Sequence, residues 1–144
     1  LIKLEAIRHG YSEGLALDVH GYVSEGSAQN FFLVRDGVIY TPPLTAAILG
    51  GITRDSVITI ARDLDYEVVE TNIAREQCYM ADETFFTGSA VEITPISQID
   101  QITIGEGVAG PITRKLQQAF FDLVEGRSED KHGWLTIVPK YKGA

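Results

Sequence analysis

Along the chain, the spacing of apolar positions changes period several times, and each change marks an element. Leu1, Leu4 and Ile7 recur at helical spacing with Gly10 as a stop, so the chain opens on the last turns of a helix. Leu15 to Val19 is a short apolar run broken by Asp18 and reads as a strand. His20-Gly21 turns it, and Tyr22 and Val23 begin the return. Asn30 to Arg35 is aromatic and branched, Asp36-Gly37 is a type I′ hairpin signal, and Val38 to Thr41 comes back. Pro42-Pro43 ends that pairing, because proline cannot donate to a ladder.

The second half alternates helix and strand. Val57, Ile58, Ile60, Ala61 and Leu64 fill one helical face, with Thr53 or a neighbour expected as the cap and Asp55 in the first turn. Tyr66 to Glu70 predicts a strand, Ala74 to Ala81 a short helix, and Glu83 to Thr87 a strand ending in Gly88-Ser89-Ala90. Val91 to Ile99 continues as a strand, with Pro95 at an edge or bend, and Ile102 to Ile104 is a further short strand. Gly110-Pro111 starts a long helix with the stripe Leu116, Ala119, Phe120, Leu123 and Val124, and Gly126 stops it. Ser128 to Ala144 is a polar tail anchored by Trp134-Leu135. Intermixed strands and helices predict an α/β or α+β domain with a mixed sheet.

Composition narrows the function more than the fold. The 144 residues suit one domain with a sizeable core, and no apolar run approaches the roughly 20 residues of a membrane span. A net charge of −8 argues against a nucleic-acid surface. The lone Cys78 excludes an internal disulfide and fits a reducing compartment; a buried apolar role suits it better than a reactive one. His9, His20 and His132 have no metal-ligand spacing and read as surface or turn residues. The paired phenylalanines Phe31-Phe32, Phe85-Phe86 and Phe120-Phe121 would face opposite sides of their elements, suggesting core on one side and a subunit contact on the other. The opening without Met, inside an apparent helix, predicts that the chain is part of a longer polypeptide.

Three segments carry candidate chemistry. Gly21-Tyr22-Val23-Ser24-Glu25-Gly26-Ser27-Ala28-Gln29-Asn30 puts one carboxylate, Glu25, between two apolar runs, where an acid needs a cationic or hydrogen-bonded partner. Ser-Glu-Gly-Ser is also ordinary turn chemistry, and by itself it favours a turn. Gly50-Gly51-Ile52-Thr53 enters a helix, where free N–H groups and the dipole can hold an anion; a plain capped entry is the simpler alternative. Thr87-Gly88-Ser89-Ala90 ends an apolar strand and could expose successive N–H groups to a second anion, or form a bulge between two strands. No dinucleotide or Walker loop is present.

Read in order, Gly-Tyr-Val-Ser-Glu-Gly-Ser-Ala-Gln-Asn (21–30), Leu-Gly-Gly-Ile-Thr-Arg (49–54) and Ala-Asp-Glu-Thr-Phe-Phe-Thr-Gly-Ser-Ala-Val-Glu-Ile-Thr-Pro (81–95) resemble the fold-type IV pyridoxal-phosphate aminotransferases. Within them the branched-chain amino acid aminotransferases are most similar, and Gly-Pro-Ile-Thr-Arg (110–114) and Gly-Trp-Leu (133–135) extend the likeness. The resemblance implies a large C-terminal cofactor-binding domain over 1–144, a mixed-sheet pseudo-barrel with flanking helices. It implies pyridoxal 5′-phosphate as cofactor, amino acid and 2-oxo acid substrates, a cytoplasmic homo-oligomer, and neither nucleic acid nor membrane as partner.

Residue by residue, the resemblance implies that Glu25 pairs with the pyridine nitrogen and that Leu49 packs on the ring. Gly51, Ile52 and Thr53 would hold the phosphate at the helix start, with Gly88 and the Ser89 hydroxyl adding to it. Ser89 and Ala90 would take the substrate carboxylate. The Schiff-base lysine of such enzymes lies ahead of the Glu25 motif. None of Lys3, Lys115, Lys131, Lys140 and Lys142 has a matching context, so no catalytic residue is expected in this chain and the lysine is expected upstream, with a small N-terminal domain. The resemblance leaves two alternatives of the same fold type, a D-amino acid aminotransferase and the aminodeoxychorismate lyase that makes 4-aminobenzoate. The missing lysine leaves a third, a catalytically silent structural or binding domain.

Overall fold

The computed structural model describes residues 1–138. The end of the expected tail, with Lys140 and Lys142, lies outside the described residues. The elements run α1 (Ile2–Arg8), β1 (Leu15–Leu17), β2 (Val23–Gly26), β3 (Asn30–Arg35), β4 (Val38–Thr41), α2 (Ile52–Asp63), β5 (Val68–Glu70), α3 (Arg75–Tyr79), β6 (Glu83–Gly88), β7 (Glu92–Pro95), β8 (Gln98–Ile99), β9 (Ile102–Thr103) and α4 (Pro111–Val124).

The sheet is organised around β3. One edge of β3 takes β6 antiparallel, from Asn30 opposite Thr87 to Val34 opposite Glu83. Its other edge takes β4 at Leu33 to Arg35 and β2 at Asn30, where Glu25 is the partner. Asp36 and Gly37 make the β3–β4 turn with φ of 51° and 80°, the two left-handed residues a type I′ turn requires. Among the described residues β7 pairs with β6 alone, which puts Pro95 on an edge strand.

β4 and β5 are parallel, joined through α2. Beyond β5 the chain reaches back to β2, where Val23 N–H donates to the Ile73 carbonyl at 2.8 Å and Tyr22 bridges Ala74. The pairings β2–β3–β4–β5 therefore close on themselves and curl the sheet, as expected for a pseudo-barrel.

Alternation in β3 and β6 gives the sheet two apolar faces. Phe32, Val34, Ile39, Phe85 and Ile93 pack with Val57, Ile58, Ile60 and Ala61 of α2 and Leu116 of α4. Phe31, Leu33 and Phe86 pack on the other face with Val23, Ile73, Cys78, Ala81 and Ile104. Phe32 stacks on Phe85 at 5.0 Å between centroids, and Phe31 meets Phe86 edge-on at 6.1 Å. Each such ring stabilises the fold by about 1.5–3 kcal/mol through removal from water. Both members of each strand pair are thus core within this chain, and the expected subunit contact for one of them is corrected.

Several local expectations change. Ser24-Glu25-Gly26 lies in β2, not in a turn; the turn is at 27–29. Gly51, not Thr53, is the N-cap of α2, and Thr53 is buried one residue into the helix. Val91 to Ile99 divides into β7 and β8, and β8 joins β9 in a separate two-stranded sheet. Gly88 ends β6, and Ser89-Ala90-Val91 make a hairpin turn to β7 rather than a bulge. Val124 is exposed, so the buried stripe of α4 runs Thr113, Leu116 and Leu123. No helix among the described residues is long and apolar enough to cross a membrane.

Candidate functional site

Glu25 sits on β2, half-buried, with its backbone registered against Asn30 across the 27–29 turn. Its Oε2 accepts two hydrogen bonds, from Asn30 Nδ2 at 3.0 Å and from the Leu49 N–H at 3.0 Å. Asn30 Nδ2 spends its second hydrogen on the Leu49 carbonyl at 2.8 Å. The three residues form a closed ring of hydrogen bonds. The sheet thereby holds the 42–51 loop, which has no regular structure of its own, and one carboxylate oxygen is committed to holding it. Ser24 adds a further tie through Oγ to the Ala47 carbonyl at 3.1 Å.

That loop delivers Leu49 and the start of α2 to the carboxylate. Leu49 is 73% exposed and Ile52 83%, so the loop and the helix start each hold an apolar side chain in the open, and Leu49 is bonded through its N–H to Glu25. Isolated exposed apolar side chains are common, but Leu49 is held by its backbone at a fixed place next to an acid. Gly51 caps α2 with extended backbone, and the first intrahelical bond from the loop side is Asp55 N–H to the Gly51 carbonyl at 3.1 Å. The N–H groups of Ile52, Thr53 and Arg54 precede that ladder, and no side chain among the described residues caps them. A Cβ at Gly51 would run into Asn30 Oδ1, so the close approach of loop and strand depends on glycine there. Arg54 is buried and donates to the Pro42 carbonyl at 3.0 Å and to Glu70 Oε2 at 2.7 Å, fixing the other end of the loop.

The third segment reaches the same edge. Asn30 is paired with Thr87, so Gly88, Ser89 and Ala90 follow directly beside the 27–29 turn, and Gly88 lies against the Ala28 carbonyl. Ser89 and Ala90 are exposed. The end of β6, the end of β4, the start of β3 and the start of α2 thus bring Glu25, Leu49, Gly51, Ile52, Thr53, Gly88, Ser89 and Ala90 to one margin of the sheet. Such a margin, at the carboxyl end of a strand that feeds a helix, is where α/β sheets bind ligands.

Asn30 is the residue of this hydrogen-bonded cluster that local reading missed, although it closes the first motif. Its signal was the hairpin: a tight connection through Ser27-Ala28, closed by the Gly26 N–H on the Gln29 carbonyl at 2.7 Å, puts position 30 opposite 25.

Other candidates fall elsewhere. Lys3 pairs with Glu13 at 3.2 Å, and Lys115 of α4 lies over the Tyr66 ring at 5.2 Å; neither reaches Glu25 in these contacts. A cleft of about 830 Å³ between α1, α3 and β8, bordered by Glu13, Gln29 and Arg75, does not include Glu25. Cys78 is fully buried, and burial pushes its thiol up to about 12, in line with an inert apolar role. His132 Nε2 lies 2.8 Å from Asp63 and its ring stacks on Trp134. Among the described residues no group of three or more His, Cys, Asp or Glu could hold a metal.

A curled mixed sheet with flanking helices, carrying an acid bonded to the loop that leads into a helix start without a side-chain cap, defines a class, and the chain belongs to the amino-transferase class IV family, whose profile matches residues 1–99. It is 55% identical over 138 residues to the branched-chain-amino-acid aminotransferase of Escherichia coli K12, covering 96% of this chain and 45% of that protein. It is 51% identical over 134 residues to the branched-chain-amino-acid aminotransferase of Pseudomonas aeruginosa, covering 93% and 43%. The solved branched-chain amino acid aminotransferase from Escherichia coli superposes with a TM-score of 0.92 at 54% identity, covering 94% of this chain and 46% of that one. The T.th. branched-chain amino acid aminotransferase complexed with N-(5′-phosphopyridoxyl)-L-glutamate superposes at 0.90 and 52%, covering 94% and 45%. The chain spans about 45% of the length of the curated relatives it matches. The expected fold-type IV architecture is borne out at this level of likeness.

Proposed function

We propose that this chain is the C-terminal, cofactor-holding domain (1–144) of a branched-chain-amino-acid transaminase. The whole protein would move an amino group between leucine, isoleucine or valine and 2-oxoglutarate. The observation that carries the reading is the braced carboxylate: Glu25 has Oε2 committed to Asn30 and Leu49, next to an uncapped helix start. The likeness to branched-chain aminotransferases at 55% identity supports the substrate class.

The residues fit pyridoxal 5′-phosphate. A carboxylate with one oxygen braced and an exposed leucine beside it suit a protonated pyridine ring and its apolar face. Free N–H groups at Ile52 and Thr53 suit a phosphate, because they carry the positive end of the helix dipole. When bound, the cofactor supplies the electron sink that makes the substrate Cα–H acidic.

The protein's own part is electrostatic and positional. Glu25 would hold a proton at the ring nitrogen, since an anion within bonding distance favours the charged form. Leu49 would fix the ring plane. Gly51, Ile52, Thr53, Gly88 and Ser89 would anchor the phosphate, and the backbone N–H groups of Ser89 and Ala90 would orient the substrate carboxylate. The base that moves the proton, a lysine, is assigned to an upstream segment of the same polypeptide, together with the small domain that completes the side-chain pocket. A cytoplasmic homo-oligomer completes the reading.

The test uses full-length protein with pyridoxal phosphate. A visible absorption band, a borohydride-fixed adduct on an upstream lysine, and amino transfer from L-leucine to 2-oxoglutarate are expected. Transfer from D-amino donors alone would move the protein to the D-specific branch. Absence of both band and transfer would leave a silent domain with the family's fold.

A further inference from the structure

We infer that Asn30 is a positioning residue for the acid, an inference that rests on the reading of Glu25 given above: its side-chain amide sets which oxygen of Glu25 faces the cofactor and ties the other oxygen to the Leu49 loop. The amide nitrogen faces two acceptors, Glu25 Oε2 at 3.0 Å and the Leu49 carbonyl at 2.8 Å. Two oxygens around one side-chain atom fix the amide orientation, because only the NH2 end can donate to both. The Leu49 N–H closes the ring onto the same Oε2 at 3.0 Å. Oε2 thus receives two donors, which leaves Oε1 as the outward acceptor of Glu25.

Two further contacts make the placement specific to asparagine. Asn30 is buried, so its amide is not interchangeable with water. Its Oδ1 lies where a Cβ of residue 51 would stand, so glycine at 51 and asparagine at 30 are matched. One side chain therefore connects the acid of β2, the ring-packing residue of the loop and the cap of α2. Loss of the amide would loosen the acid and the loop together. Aspartate, the same shape, would bring a third oxygen against the Glu25 carboxylate and the Leu49 carbonyl. Glu25 is the charged group bonded to this position, and Arg54, at the start of α2, is engaged by Glu70.

The experiment compares wild-type, Asn30→Ala and Asn30→Asp full-length proteins by titration with pyridoxal phosphate from pH 5 to 9. Backbone hydrogen exchange at Leu49 is followed in cofactor-free protein. Asn30→Ala is expected to weaken cofactor binding about tenfold at every pH and to speed Leu49 exchange, with melting close to wild type. Asn30→Asp is expected to bind more weakly still at pH 8 and to recover toward Asn30→Ala at pH 5, where the new carboxyl regains its proton. A merely structural role predicts instead equal losses for both variants that track melting and do not change with pH, and that outcome overturns the inference. Unchanged affinity and unchanged Leu49 exchange also overturn it. Should Asn30→Asp fail to fold, the Asn30→Ala affinity and Leu49 exchange decide alone. Wild-type protein that takes up no pyridoxal phosphate overturns the proposed function and this inference together, whereas normal wild-type binding with indifferent variants removes only this inference.

Discussion

Glu83 and Thr113 are thirty residues apart, yet the Glu83 Oε2 accepts the Thr113 N–H at 2.7 Å. Its other oxygen accepts the Ile112 N–H at 3.0 Å, so a buried residue at the start of β6 caps α4 from outside the helix. The carboxylate also meets the positive end of the α4 dipole. Gly110 leaves the room for it, since a Cβ there would enter the Glu83 carboxyl. Glu83→Ala is expected to lower stability by about 2–3 kcal/mol by uncapping one buried and one half-buried donor, and Glu83→Gln by about 1 kcal/mol because one acceptor remains. Urea unfolding of the intact protein measures both; equal, negligible losses would show that the cap does not hold α4.

Glu25→Gln keeps the size of the side chain and removes its charge. The hydrogen bonds from Asn30 and Leu49 can persist to the amide oxygen, so melting should stay near wild type. Turnover of the full-length protein should fall about ten- to a hundredfold, the effect of losing one charge-assisted bond at the ring nitrogen. Unchanged turnover would mean that Glu25 is not the ring partner.

An acid-sensitive clasp lies away from the site. Asp100 Oδ2 accepts Tyr79 Oη at 2.5 Å and Arg75 Nη2 at 2.8 Å, tying α3 to the β8–β9 turn. The Tyr79 hydroxyl, and after it the Arg75 guanidinium, hold the Asp100 carboxyl below its ordinary value of 3.8. The folded protein therefore binds this proton less readily than the unfolded chain. The stabilisation is present above about pH 4 and is lost as the pH falls below it. Asp100→Asn should be less stable than wild type at pH 7, and the gap should close toward pH 3. A gap that is the same at pH 7 and pH 3 would remove the charge from the account.

Cys78 provides a probe of the second apolar face. It is fully buried beside Val23, Phe31 and Phe86, with its thiol pushed up to about 12 by burial. Native protein should resist thiol reagents at pH 8, and the modification rate should follow unfolding in denaturant. Rapid labelling of native protein would show that this face opens locally.

Sequence reading succeeded where a signal is local. Asp36-Gly37 fixes its hairpin through two left-handed residues, and Gly110-Pro111 with Gly126 at a φ of 69° bounds α4. It also brought Glu25, the 49–54 segment and the 87–90 segment together as one family pattern. What it could not supply depends on closure over distance. Thr53 reads as a cap by type, but the helix begins at Ile52 with Gly51 as its cap, and Asn30 leaves no room there for a side chain. Asn30 looks like the end of a motif until β2 and β3 register it against Glu25. Glu83 carries no local sign that it will serve a helix that begins at Pro111. The parallel pairing of β4 with β5 likewise follows only from where α2 packs.

The 42–51 loop is fastened to the rest of the chain chiefly by side chains: Arg54 on Pro42, Ser24 on Ala47, and Asn30 and Glu25 on Leu49. None of these bonds belongs to the ladders that carry the sheet. Local opening of this loop, which buries Pro42 and Ala46, is therefore expected to cost less than global unfolding. A ligand that engages Leu49 and the α2 start would restore the loop by mass action. The binding edge and the scaffold thus draw on separate stabilities, and substitutions at these four side chains can retune the edge without remaking the fold.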